Sequence, residues 1–317
     1  MIVLTVVAVV AVISLILSRR TEERGTAEFL AAAEQATELQ SGAAERLGRV
    51  FGEVGPLLSR QEVVTFLSEA VEATADAGEF LDMEVPTRAA RSYGYLSAAS
   101  EAWMQGAAEA ERTIVGLMNG DLDEDGPTAL REVIALLRAG DTAYALFTAD
   151  VAELDTESAM ADFPEIHFID PAPSDPVRYD EQQLALRISL AYNLAPQIDL
   201  GVVGTIVPEP VGARGGIPVV PAAESLGVTA VVTNFGNEPQ GAFSVTLTVL
   251  DVDTGEIDVD STSLEALQPG ASTTAAFESI SAAPGGLYQV TLTVTIADDG
   301  DTSNNTWAMT FIWNEES

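Results

Sequence analysis

The sequence predicts a multidomain chain of the α plus β class: an N-terminal transmembrane helix, an antiparallel helical bundle and a C-terminal β-sandwich. Three observations predict it. Residues 1–18 are uncharged and apolar, residues 22–162 carry small apolar residues at heptad spacing, and after Ile198 the texture changes to alternating runs rich in valine and threonine. At about 150 residues per domain, 317 residues suit two domains, and 47% hydrophobic residues suffice for packed cores. The expected divisions are an anchor at 1–18, the bundle at 22–162, a Pro-rich connector with a last helix at 163–197, and the sandwich at 198–317.

The run MIVLTVVAVVAVISLILS is interrupted only by Thr5, Ser14 and Ser18. As a helix it spans about 27 Å, enough to cross a bilayer. A cleaved leader wants a basic stretch before such a run and a small-residue site after it, whereas SRRTEERG follows here, so an uncleaved single-pass anchor is expected. Arg19, Arg20 and Arg24 flank the run on its carboxy-terminal side, which the positive-inside rule would place in the cytoplasm. The character of the β half argues the other way, for export of the bulk of the chain.

Three seams follow steps of three and four. The first is Phe29, Ala33, Ala36, Gln40, Ala43, Leu47, Val50 and Val54. The second, after Gly55-Pro56, is Val63, Leu67, Ala70, Thr74, Ala77 and Leu81. The third is Tyr93, Leu96, Ser100, Trp103, Ala107, Ala110, Ile114 and Leu117. Alanine-rich seams let helices approach closely, and short Gly- or Pro-marked connections favour antiparallel neighbours. Tyr93 and Trp103 lie on the seam and so read as core rather than as a ligand pocket. Two further short helices are expected at Thr128–Arg138 and Thr142–Leu154, the second opened by Asp141. Pro164, Pro171, Pro173 and Pro176 mark the connector. His167, the only histidine, has no second nitrogen or thiolate near it in sequence to share a metal. Residues 180–194 alternate as a strand would but carry helix-forming residues, and are read as helix.

One acidic segment has ligand spacing. Asp121, Asp123, Asp125, Gly126 and Glu132 fit D-x-[DN]-x-[DN]-G-x5-E, in which converging carboxylates and a closing glutamate surround calcium. Pro127 and Thr128 depart from the branched apolar residue usual after such a glycine. The alternative is an acidic turn in which Gly126-Pro127 starts the next helix and Asp125 sits at its cap. Calcium is the one cofactor the sequence suggests.

In the last third, Phe243, Val245, Leu247 and Val249 alternate with Ser244, Thr246 and Thr248, and Tyr288 to Ile296 repeat the pattern. With Asp199–Val203, Leu226–Thr233, Ser272–Ile280 and Thr306–Trp313, about seven short strands make a two-sheet sandwich. Trp307, Met309, Phe311 and Trp313 fall on one face of the last strand and read as core. Three features recur in order: Val232, Asn234, Gly236 and Asn237 in one turn, Leu267-x-Pro269-Gly270 in another, and the terminal segment Asp298–Asn305. In these the chain resembles the CARDB type of immunoglobulin-like domain, the cell-adhesion-related module of surface proteins. The resemblance implies an extracytoplasmic interaction or spacer module without catalytic residues. The segment DVDTGEIDVDSTSLEA is more acidic and less regular than that pattern. In such a sandwich the turns 234–240 and 298–305 project from one end, so Asn234, Asn237, Asp298, Asp301 and Asn304 could form an oxygen-rich binding rim, unless they are only turn formers. Asn304-Asn305-Thr306 is also a glycosylation sequon.

Charge narrows the function classes. The chain carries 49 acids against 14 basic residues, all arginine, for a net −35. Nucleic acid is thereby excluded as a partner. Without lysine or cysteine, Schiff-base, P-loop, thiolate and Cys/His zinc chemistries are excluded as well. Both halves are acidic beside a high apolar content, which reads as a solvated shell over folded domains, as at high salt; a merely low pI with arginine written for lysine is the other reading. The expected function is a non-enzymatic, membrane-anchored surface protein that meets an extracellular protein or glycan. A pilin-like filament subunit and a carboxylate-based surface hydrolase remain as alternatives.

Overall fold

In the computed structural model, the described residues are 2–55, 57–85, 87–122, 124–154, 163–175, 177–280 and 282–314, with backbone alone over 2–20. The chain divides into two compact units, 1–195 and 196–317. The class is α plus β.

The first unit contains α1 (Ile2–Glu53), α2 (Arg60–Glu79), α3 (Ala90–Asn119), α4 (Gly126–Glu153) and α5 (Glu181–Ser189). Ser59 opens α2 with a capping box: its hydroxyl receives the Glu62 amide while the Glu62 carboxylate receives the Ser59 amide. Gly120, at φ 77°, closes α3 in the left-handed conformation that glycine adopts without steric cost. The three seams are the buried faces of α1, α2 and α3, with Tyr93 alone only partly buried. Among the described residues, no helix is long and apolar enough to cross a membrane. The transmembrane helix expected at 1–18 falls within α1, on residues whose side chains are not among those described, and receives no support from the fold.

Two short helices were expected over 128–154, but one helix, α4, runs unbroken through Gly140 and Asp141. A glycine in a helix interior costs about 1 kcal/mol, and packing overrides that cost. A Cβ at Gly140 would lie 2.4 Å from the Trp103 ring, and one at Gly106 would lie 2.6 Å from Leu137, so the two glycines let α3 and α4 touch backbone to side chain.

Asp141 caps nothing. Its Oδ1 accepts from the Trp103 indole and the Phe168 amide, both at 3.0 Å, and its Oδ2 accepts from the Ile169 amide at 3.0 Å. The segment from Phe163 is thereby laid on the helices, with Ile166, Phe168 and Ile169 buried and His167 turned outward. Phe168 stacks on Trp103 at 4.9 Å between centroids, and the Tyr144 hydroxyl donates to the Pro164 carbonyl at 2.7 Å. The helix read over 180–194 is the shorter α5. Its N-cap Asp180 accepts from the amides of Gln182 and Gln183, and Leu184 and Ile188 are buried.

The second unit is a sandwich of unequal sheets. Its strands are β1 (Leu200–Val207), β2 (Gly212–Arg214), β3 (Ile217–Val220), β4 (Gly227–Asn234), β5 (Phe243–Asp251), β6 (Ile257–Leu264), β7 (Ser272–Phe277), β8 (Leu287–Thr295) and β9 (Thr306–Trp313). One sheet has the order β1-β4-β7, the other β2-β3-β9-β8-β5-β6. β3 lies parallel to β9, so the chain leaves the small sheet after β1 and reaches the edge of the large one through the β2–β3 hairpin. Neither the hairpin nor β6 is among the strands expected from the sequence. In β6, Asp258 and Asp260 pair across from Val249 and Leu247, which puts the acids on the inner face and Ile257 and Val259 on the outer one. Inward charges on an edge strand discourage further strand pairing.

Substituting Gly140→Ala is expected to cost about 1–3 kcal/mol through overpacking against Trp103, read by urea denaturation. Asp141 has its carboxyl pushed up by burial, against the pull of its three donors. A raised folded-state value means that the Asp141 contribution to stability is full at low pH and declines as pH rises from the ordinary carboxylate range through that raised value. Asp141→Asn turns an amide donor toward Ile169 and is expected to cost about 1–3 kcal/mol. Denaturation at a series of pH values should show this loss larger below the carboxylate range than at neutrality.

Candidate functional site

The acidic segment between α3 and α4 is a tight connection. The Asp121 amide donates to the Gly116 carbonyl at 2.8 Å and the Gly126 amide to the Leu122 carbonyl at 2.7 Å, while Leu122 covers Gly116. Helix α4 starts at Gly126 with Pro127 in its first turn, where the missing N–H is not needed, and Asp125 takes the cap position without a side-chain hydrogen bond. Glu132 is therefore two turns into a helix and exposed. Asp123 lies outside the described residues. Among the described residues, no group of three or more histidines or carboxylates is placed to hold a metal ion.

At one end of the sandwich, both turns named from sequence pack on residues 197–201. The amides of Phe235 and Gly236 donate to the Asp199 carbonyl, and the Gly300 amide donates to the Ile198 carbonyl at 2.7 Å. Asn234 is fully buried. Its Nδ2 donates to the carbonyls of Glu238 and Leu267 at 2.8 and 3.1 Å, and its Oδ1 accepts from the Gly236 amide at 2.9 Å. Asn237 Oδ1 accepts from the Gln197 amide at 2.7 Å. Asn304 Nδ2, the atom a glycan would take, donates to Asp199 Oδ1 at 2.8 Å. Asp298, at φ 58°, and Asp301 are exposed. The hydroxyl and amide of Ser303 hold the Asp301 carboxyl below its usual range.

The structure thus gathers the rim around Asp199, a residue read from sequence only as the start of a strand. Asp299 belongs there too, its Oδ2 accepting from the Leu200 amide at 3.3 Å. The sequence signal for both was weak, because an aspartate beside a strand is also an ordinary turn former. The arrangement ties the two turns to the segment leading into β1 and leaves Asp298 and Asp301 facing solvent.

Residues 217–309 match the CARDB family. The second unit carries a CARDB domain. No curated protein matches the chain. Among solved structures, a CARDB domain from Pyrococcus furiosus, in complex with di-metal ions, is similar at 16% identity over 37% of this chain and 88% of its own, with a TM-score of 0.27. A domain from Methanosarcina acetivorans, described as part of a cell-surface protein, is similar at 23% identity over 38% of this chain and 94% of its own, with a TM-score of 0.26. An alkylpurine DNA glycosylase from Pseudomonas fluorescens, bound to DNA, reaches 10% identity over 90% of this chain and 99% of its own, with a TM-score of 0.25. At such scores none of these likenesses carries chemistry to this protein.

In the CARDB domain the side chain of Asn234 holds its turn from within. Asn234→Ala should cost about 1–3 kcal/mol, since it strips partners from buried backbone groups. Chemical denaturation of the full chain is the check.

Proposed function

We propose that this protein is a non-enzymatic surface protein, anchored in the membrane through residues 1–18 and presenting its CARDB domain outside the cell as an interaction or spacer module. The single observation that carries the reading is the CARDB match at 217–309. Two features support it. The apolar run contains no charge, and α1 continues without a break from Ile2 to Glu53, which would lead the chain from a bilayer straight into the bundle. The partner is an extracellular protein or glycan, and Asp298 and Asp301 are the part of the rim open to it.

Arg19, Arg20 and Arg24 favour a cytoplasmic carboxy-terminal flank, whereas the surface reading requires the opposite. Protease added to intact cells should cut the CARDB domain without lysis, and deletion of 1–18 should release the protein from the membrane fraction. A domain protected until lysis would overturn the surface reading, and an unchanged membrane fraction would overturn the anchor.

A further inference from the structure

The charge of the CARDB unit is unevenly placed. None of its charged residues occupies an outward position on β5, β6, β8 or β9. Ser261, Thr246, Thr293 and Thr306 stand in one row across the four strands, and Val259, Thr248, Thr291 and Ala308 in the next. At the edge, Ile257 and Val259 are 65% and 59% exposed. In a chain at −35, this neutral face of hydroxyls and methyls calls for an occupant.

The chemistry of the face narrows the choice. An anionic partner finds no cation there and a cationic one no carboxylate. A sugar would want an open aromatic platform, but Tyr288, Trp307, Phe311 and Trp313 all occupy inward positions, and a Cβ at Gly204 would lie 2.3 Å from Trp307, so that ring packs on β1. Two copies of this chain repel each other across charged surface, and a neutral face admits contact between them. The outward side of the three-stranded sheet is also uncharged, but it is narrower by one strand.

We propose that two copies of this chain dock face to face through the outward side of β5, β6, β8 and β9. Two such sheets stack about 10 Å apart. Strands about 4.8 Å apart and rows about 6.8 Å apart give roughly 500 Å² per copy. The total of about 1,000 Å² is at the small end for specific interfaces, so the dimer is weak and reversible. Salt strengthens it, because screening removes the repulsion between the two acidic chains while no ion pair across the face is lost.

Sedimentation of the full chain in detergent micelles tests this. The dimer fraction should rise with protein concentration and with salt. Thr291→Glu and Thr291→Lys should each weaken dimerisation about tenfold or more, since a face that meets its own copy rejects either sign, while Thr291→Val preserves it. The chain lacks cysteine, so Thr293→Cys gives a single reporter thiol that should cross-link into dimers on oxidation, and Thr274→Cys, on the outward side of β7, should not. A monomer at every salt concentration, a dimer indifferent to folded Thr291→Glu, or cross-linking through Thr274 alone would overturn the proposal. So would retention on a neutral polysaccharide matrix that Thr291→Glu abolishes while no dimer forms.

Discussion

The helical unit depends on one carboxylate. Asp141 lies in the interior of α4, half-buried, and a charge withdrawn that far from water is favourable only because three donors meet it. Two of those donors are consecutive backbone amides, so the carboxylate fixes the direction of the chain at Phe168 and Ile169 as well as its position. The third is the indole of Trp103, which also fills the space left open by Gly140. α3, α4 and the segment after Phe163 are joined at this point, and the aromatic cluster of Trp103, with Phe168 stacked on it and Tyr144 tilted against it, follows from it.

A second constraint comes from the end of α1. Carbonyls at and just beyond the end of a helix need donors, and here they come from 130 or more positions further along. Arg187 donates to the Phe51 carbonyl at 2.8 Å, Arg178 to that of Gly48, and Asn193 to those of Gly55 and Leu58. Burial draws the Arg187 guanidinium below its ordinary value. In a chain so short of cations, these arginines serve backbone carbonyls rather than acids. They bind the segment up to Asn193 into the first unit, and Arg60 extends the same arrangement to the carbonyl of Leu194.

The sandwich is governed by the inequality of its sheets. Three strands cannot cover six, so the inner side of β6 stays wet and tolerates Asp258 and Asp260 opposite Leu247 and Val249. β6 hides its phase in the sequence for that reason: Ile257 and Val259 point outward, while Asp258 and Asp260 occupy the phase that marks core elsewhere. Strand β9 was legible because Phe311 and Trp313 keep the ordinary phase. The hairpin β2–β3 was missed for another reason, since three and four residues are too few for alternation to show.

Periodicity is local, and so the sequence alone determined which faces of α1 to α3 and of β5, β8 and β9 are buried, and with them the α plus β class and the CARDB resemblance. The turn residues Asn234, Asn237, Asp298, Asp301 and Asn304 were also visible as a group. What they do was not. A hydrogen bond is decided by two partners, and for these groups the partner is often far away in the chain: Asn304 meets Asp199, Asn237 meets Gln197, Asp141 meets Phe168. Only the tertiary structure could show that Asn234 is consumed inside its turn, that Asp141 lies within a helix rather than at its start, and that Asp298 and Asp301 are the rim carboxylates left facing water. Spacing brings groups of the right type into one region, but packing decides which of them still have an open valence for a partner.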